Sequence, residues 1–139
     1  MPMSTPFPPS PFLRLALLGD AIASGATGLL LVGGAEVLTN LLGLPEPLMR
    51  YAGLFLLLYA AFVGYVGTRA TASNSTIWTI IIGNALWVGE SILLLFVGWT
   101  SPTTLGTAFV VAQALVVAGF VEAQWIGLRK STTATPAGA

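Results

Sequence analysis

The chain contains no cysteine and no histidine, and only 7% of its 139 residues carry charge. Each shortage excludes something. Without cysteine there is no disulfide and no thiol nucleophile; without histidine there is no imidazole base and none of the usual ligand sets for haem or zinc. A water-soluble domain carries about 25% charged residues, so this chain has too little charge to cover a surface against water. Its five basic and five acidic side chains cancel, which leaves no excess to attract nucleic acid from a distance. What is abundant is apolar: 55% of the residues are hydrophobic and the mean hydropathy is +0.89. The solvent for most of this chain is lipid. The inventory points to a non-enzymatic protein that partners the bilayer and needs no cofactor or metal.

A helix of about 20 apolar residues crosses the ~30 Å hydrocarbon core of a bilayer. Four segments qualify, at residues 12–34, 48–67, 77–97 and 105–128. The expectation is an all-α fold, a polytopic membrane four-helix bundle occupying residues 12–130. Ahead of it, Pro2, Pro6, Pro8, Pro9 and Pro11 forbid a helix and predict a disordered, extended arm over residues 1–11. The first apolar run exceeds the ~7–15 residues of a signal-peptide core and contains Asp20, so it reads as a mature span. Residues 35–47 mix Glu36, Asn40 and Glu46 with Val37, Leu38 and Leu41. Too short to cross, they suit a turn of helix lying in the interface. Residues 131–139 read as a disordered tail.

Four spans put both termini on one side. Arg14, Arg69, Arg129 and Lys130 fall on that side and only Arg50 on the other, so the positive-inside bias predicts cytoplasmic termini. Tyr65 and Trp125 near the inner ends, and Tyr51 and Trp99 near the outer ends, fit aromatic belts. Together with Arg14, Arg69 and Arg129 they are the expected interface anchors.

Setting residues 18–34 over residues 82–98 matches Gly19 with Gly83, Ala21 with Ala85, Gly25 with Gly89 and Leu29 with Leu93. Asp20 then falls on Asn84 and Thr27 on Ser91. Such a match suits two tandem transmembrane hairpins forming a parallel repeat; biased composition supplies Gly and Leu identities freely, so coincidence stands beside it. On the first span Asp20, Ser24 and Thr27 share one face, and on the third Asn84, Trp87 and Ser91 do the same. Asp20 and Asn84 are expected to meet across the bundle.

Three acids lie within spans: Asp20, Glu90 and Glu122. Each costs about 2.5–3.5 kcal/mol near a helix centre, so each needs a reason. Asp20 has Asn84 as a bonding partner. Glu122, close to the inner end, is expected to pair with Arg129 or Arg69. Glu90 is surrounded by Leu86, Trp87, Leu93 and Leu94, with only Arg50 as a cation toward which it can reach. It reads equally as a protonatable group of a transport site or as a structural partner of Gln113. Two functions follow. One is an accessory or scaffold protein that acts through helix packing, as a homo-oligomer or docked to a larger membrane partner. The other is an oligomeric proton-coupled or small-solute transporter with Glu90 as its titrating group.

At Asn84-Ala-Leu-Trp-Val88, Thr100-Ser-Pro-Thr-Thr-Leu-Gly106 and Glu122-Ala-Gln-Trp-Ile-Gly-Leu-Arg129, the chain resembles a group of small bacterial four-helix integral membrane proteins of unknown function. The similarity runs from Arg14 to Arg129. It implies a bacterial inner-membrane location and supplies no activity.

Overall fold

A computed structural model describes residues 5–98 and 100–133. In chain order it contains β1 (Pro6–Phe7), α1 (Pro11–Gly33), α2 (Ala35–Leu42), α3 (Glu46–Thr68), β2 (Ala72–Ser73), α4 (Asn74–Phe96) and α5 (Thr104–Thr133). Of these, α1, α3, α4 and α5 are long and apolar enough to cross a membrane. The chain is an all-α, multi-pass helical bundle, as its composition requires.

Helix boundaries follow from local chemistry. Ser10 caps α1 by accepting the Leu13 N–H at 3.1 Å, with Pro11 in the first turn, where its missing N–H costs nothing. Ser73 caps α4 in the same way, accepting from Thr76 N at 3.2 Å. The short helix expected between the first two spans is α2, which ends at Gly43, whose φ of 70° is strained for any residue with a Cβ. Its last carbonyls are satisfied by the connection between α4 and α5. Thr103 donates its N–H to Leu42 O at 2.9 Å and its hydroxyl to Leu41 O at 2.7 Å. A Cβ on Gly106 would collide with Leu42 O, so this glycine lets α2 settle against the outer end of α5.

Two expectations about the chain ends are corrected. Residues 5–10 lie outside any helix but are not a free arm: Pro6 pairs with Ser73 and Phe7 with Ala72 in a short antiparallel ladder, and Pro11 already belongs to α1. At the other end the helix runs on to Thr133. Ser131 is buried there and accepts the Ser10 N–H at 2.8 Å. Capping and long-range hydrogen bonds outweigh the polar composition that suggested disorder here, and residues 1–4 and 134–139 of the expected arm and tail lie outside the described residues. The Ser10–Ser131 bond brings residues 10 and 131 to one end of the bundle, termed inner, with outer for the opposite end.

The most extensive helix contact is between α1 and α3; α4 packs chiefly on α5, and α5 in turn on α1. Close approach of α1 and α3 rests on two facing glycines. A Cβ on Gly28 would sit 2.8 Å from Gly53 O, and one on Gly53 would sit 2.8 Å from Gly28 O. Small residues of this kind are what let membrane helices touch backbone to backbone. In the alignment of the two hairpins Gly28 falls on Ile92, which is exposed, so this contact has no copy in the second hairpin.

Side chains at the inner half fill the space between all four spans, with Leu13, Leu17, Val63, Ile77, Ile80 and Leu128 buried in one cluster. A second cluster, including Leu31, Met49, Leu56 and Val110, occupies the outer half. Gly28→Ala or Gly53→Ala is expected to lower stability by about 1–3 kcal/mol, because backbone must shift to admit the methyl group. Gly89→Ala and Gly119→Ala, whose Cβ atoms would meet open space, should be neutral or slightly stabilising through helix propensity. Unfolding of the four variants by SDS titration in bicelles checks both signs.

Candidate functional site

The polar residues of the interior form two groups at different depths. The deeper is a ring of three side chains from three helices. Asn84 of α4 donates to Asp20 Oδ2 of α1 at 2.7 Å and to Gln124 Oε1 of α5 at 3.0 Å. Gln124 Nε2 closes the ring by donating to Asp20 Oδ2 at 2.8 Å, and Ser24 donates to Asp20 Oδ1 at 3.1 Å. Asp20, Asn84 and Gln124 are 1%, 3% and 0% exposed, so no solvent competes for these bonds. At 1.5 Å per residue Asp20 lies about 14 Å along α1 from its start, near mid-bilayer.

The second group lies toward the outer side and is organised by Gln113. Its Oε1 accepts the Trp87 indole N–H at 2.7 Å, and its Nε2 donates to Ser91 Oγ at 2.9 Å and to Val110 O at 2.9 Å. Ser91 donates in turn to Trp87 O at 2.8 Å. The indole is thus held by one hydrogen bond at its N–H and stacks on Phe55, with centroids 5.9 Å apart. Trp87 is a fixed wall.

Beside that wall lies a cavity of about 230 Å³ between the α1–α3 pair and the α4–α5 pair. Leu31, Met49, Ala52, Leu94 and Phe109 give it apolar sides, and Thr27, Ser91 and Gln113 are the polar groups within. Glu90 is both exposed and part of the lining, so it stands at the mouth. A smaller cavity of about 110 Å³ adjoins it, sharing Thr27, Trp87 and Gln113 and reaching Ser24 and Asp20. Between them the two linings include both the exposed Glu90 and Asp20 of the buried ring.

The structure thus brings together Asp20 and Asn84, as the sequence leads one to expect, and adds Gln124, which sequence reasoning overlooked. The signal was present: Gln113 and Gln124 are eleven residues apart, three helical turns, and so share one face of α5. Tyr59 was overlooked too; its hydroxyl donates to Ile80 O at 2.9 Å and ties α3 to α4.

Glu90 and Glu122 depart from expectation. Gln113 spends its amide on Trp87, Ser91 and Val110 and leaves Glu90 alone. Arg50, the one cation expected to reach toward Glu90, is turned to Glu46 at 2.7 Å, the sole ion pair among the described residues. Glu122 is exposed and makes no ion pair there. The two arginines expected to meet it fold back instead over their own aromatic neighbours one turn away. Arg69 lies 5.1 Å from the Tyr65 ring centroid and Arg129 4.9 Å from that of Trp125. Such contacts are worth ~0.5–1 kcal/mol at exposed sites, comparable with the ~0–1 kcal/mol of an exposed ion pair. Both pairs stand at the end of the bundle that holds residues 10 and 131. Arg14, at the same end, donates to Gly67 O at 2.7 Å and Arg69 O at 2.8 Å, capping the carbonyl end of α3. Trp99 lies outside the described residues.

Fold and site define the class: a polytopic membrane bundle with a hydrogen-bonded polar centre and a cavity opening from its outer half. No protein-family model, no curated protein and no solved structure matches the chain.

Asp20→Ala leaves the Asn84 and Gln124 amides short of an acceptor, at a cost of about 1–3 kcal/mol. Asn84→Ala should cost a similar amount, and the double variant less than the sum, because fewer polar groups are then stranded. The coupling is expected within the ~0.6–1.7 kcal/mol seen for interhelical hydrogen bonds. A double-mutant cycle of unfolding in bicelles measures it; strict additivity would mean that the ring carries no cooperative load.

Proposed function

We propose that this chain is a non-enzymatic bacterial inner-membrane protein that takes up a small amphipathic solute between its helices, as a small-solute carrier does. The observation that carries this reading is the cavity beside Trp87. It combines apolar walls with a few converging polar groups, the usual make-up of a ligand site. Its volume falls below the ~300–1,000 Å³ of drug-sized pockets, which suits a small molecule or one end of a longer one. Adjoining space toward Asp20 supports passage toward mid-bilayer, while the buried leucines and isoleucines at the inner half close the opposite side.

A brominated aromatic probe tests the cavity directly. With Trp78, Trp99 and Trp125 replaced by Phe, Trp87 is the sole indole, and 1-bromonaphthalene should quench it saturably in nanodiscs. Ala52→Phe, which fills the cavity, should leave only the linear quenching due to probe dissolved in lipid. Linear quenching in both proteins would overturn the reading.

A second reading is favoured by the exposure of Glu90: an accessory or scaffold subunit that packs by α4 against a second copy or a larger membrane partner. There a group from another chain meets Glu90, with Ala85 and Gly89 on the exposed side of the same helix. Crosslinking from position 89 in native membranes decides between them, since a specific adduct is expected only for the packing role.

The proposal includes cytoplasmic termini and a duplicated hairpin. Supporting the first is the gathering of Arg14, Arg69, Arg129 and Lys130 at one end; supporting the second is the meeting of Asp20 with Asn84. Because the chain lacks cysteine, single cysteines report cleanly on sidedness. Ser101→Cys should react with an impermeant maleimide in right-side-out membranes, and Thr71→Cys only in inverted ones.

A further inference from the structure

We infer that the ligand of the Trp87 cavity is an amphiphilic amine, with its ammonium group at Glu90 and its apolar body between Trp87, Leu94, Phe109 and Met49. The inference rests on the cavity reading above and goes beyond it by assigning charge and orientation.

Charge complementarity carries it. Gln113 is already engaged with Trp87, Ser91 and Val110, and Ser91 with Trp87 O, which leaves the neutral Thr27 hydroxyl and the Glu90 carboxyl group as the polar groups around the cavity without a hydrogen bond among the described residues. Glu90 makes no hydrogen bond or ion pair among the described residues. Arg50, on the neighbouring helix, is held by two hydrogen bonds to Glu46, at 2.9 and 2.7 Å. The mouth therefore offers one carboxyl group with no countercharge among the described residues. By rise per residue it lies about 9 Å below the outer end of α4, inside the hydrocarbon region. An ammonium ion there gains a charge-assisted hydrogen bond in a medium of low dielectric constant. A ligand carboxylate meets a like charge instead and is rejected. Trp87, held by Gln113 and stacked on Phe55, gives an aromatic or alkyl body an apolar surface to lie against.

The same ammonium chemistry occurs in free amines and in the headgroup of phosphatidylethanolamine. Depth favours the free amine, because a headgroup sits at the interface and Glu90 lies below it. The test is displacement of 1-bromonaphthalene from the Trp87 reporter protein in phosphatidylcholine nanodiscs. Three isosteric competitors are compared: 1-naphthylmethylamine, 1-naphthalenemethanol and 1-naphthoic acid. The amine should act at a concentration at least about tenfold lower than the alcohol, equivalent to ~1.4 kcal/mol, and the acid should be weakest. Glu90→Gln should bring the amine-to-alcohol ratio to about one, whereas Glu90→Asp should retain a preference for the amine.

Equal potency of amine and alcohol in the unsubstituted site overturns the assignment of charge and leaves the cavity reading standing. An amine preference that survives Glu90→Gln overturns the role of Glu90. Absence of saturable 1-bromonaphthalene quenching overturns the cavity reading itself. Replacing part of the phosphatidylcholine by phosphatidylethanolamine should not displace the probe; displacement would overturn the free amine in favour of the lipid headgroup.

Discussion

Asp20, Asn84 and Gln124 sit where lipid and protein together exclude water, and each supplies what the other two lack. A carboxyl group at mid-bilayer is tolerable only when donors converge on it, and an amide only when its own donors and acceptor are used. The ring gives the Asp20 carboxyl group its donors and uses both donors of Asn84 and the acceptor of Gln124 by drawing on α1, α4 and α5, so these three helices are held in one register. Any slide or rotation of α4 strands an amide in hydrocarbon. Each bond alone is worth little, ~0.6 kcal/mol on average between membrane helices. What holds the register is the larger cost of leaving a partner unmatched.

With α4 and α5 committed to α1 through that ring, the third helix is placed by different means. Gly28 and Gly53 bring α1 and α3 together at the backbone, and Tyr59 reaches from α3 to the Ile80 carbonyl of α4. Inner ends are sealed by buried aliphatic side chains and laced by Ser10, Arg14 and Ser131. Outer ends are braced by α2 against α5 through Thr103. Between these closures a cavity remains, lined by α1, α3, α4 and α5, with Glu90 exposed at its edge.

Periodicity made half of this legible. Asp20, Ser24 and Thr27 on one helical face, and Asn84, Trp87 and Ser91 on another, announced themselves by spacing, and the structure buries or lines the interior with all six. The short helix after the first span was legible too, from charge mixed with leucine over a length too short to cross. Glu90 and Glu122 were not. Spacing along one helix says which neighbours lie a turn away, but not whether Gln113 is already spent on Trp87, or whether Arg129 and Arg69 prefer their own aromatic rings. Chain ends misled for a related reason: proline and serine predict an absence of regular local structure, whereas Phe7, Ser10 and Ser131 are held by residues distant in sequence.

The sequence by itself determined the solvent, the number of crossings and the faces of α1 and α4 that had to turn inward, because hydrophobicity and helical period are local properties summed along the chain. Only the tertiary structure decided which buried groups satisfy one another, that Gln124 completes the ring, and that Glu90 is left over at the mouth of a cavity. Hydrogen-bond capacity is finite and each partner can be used once, so the allocation depends on which helices stand side by side and at what height.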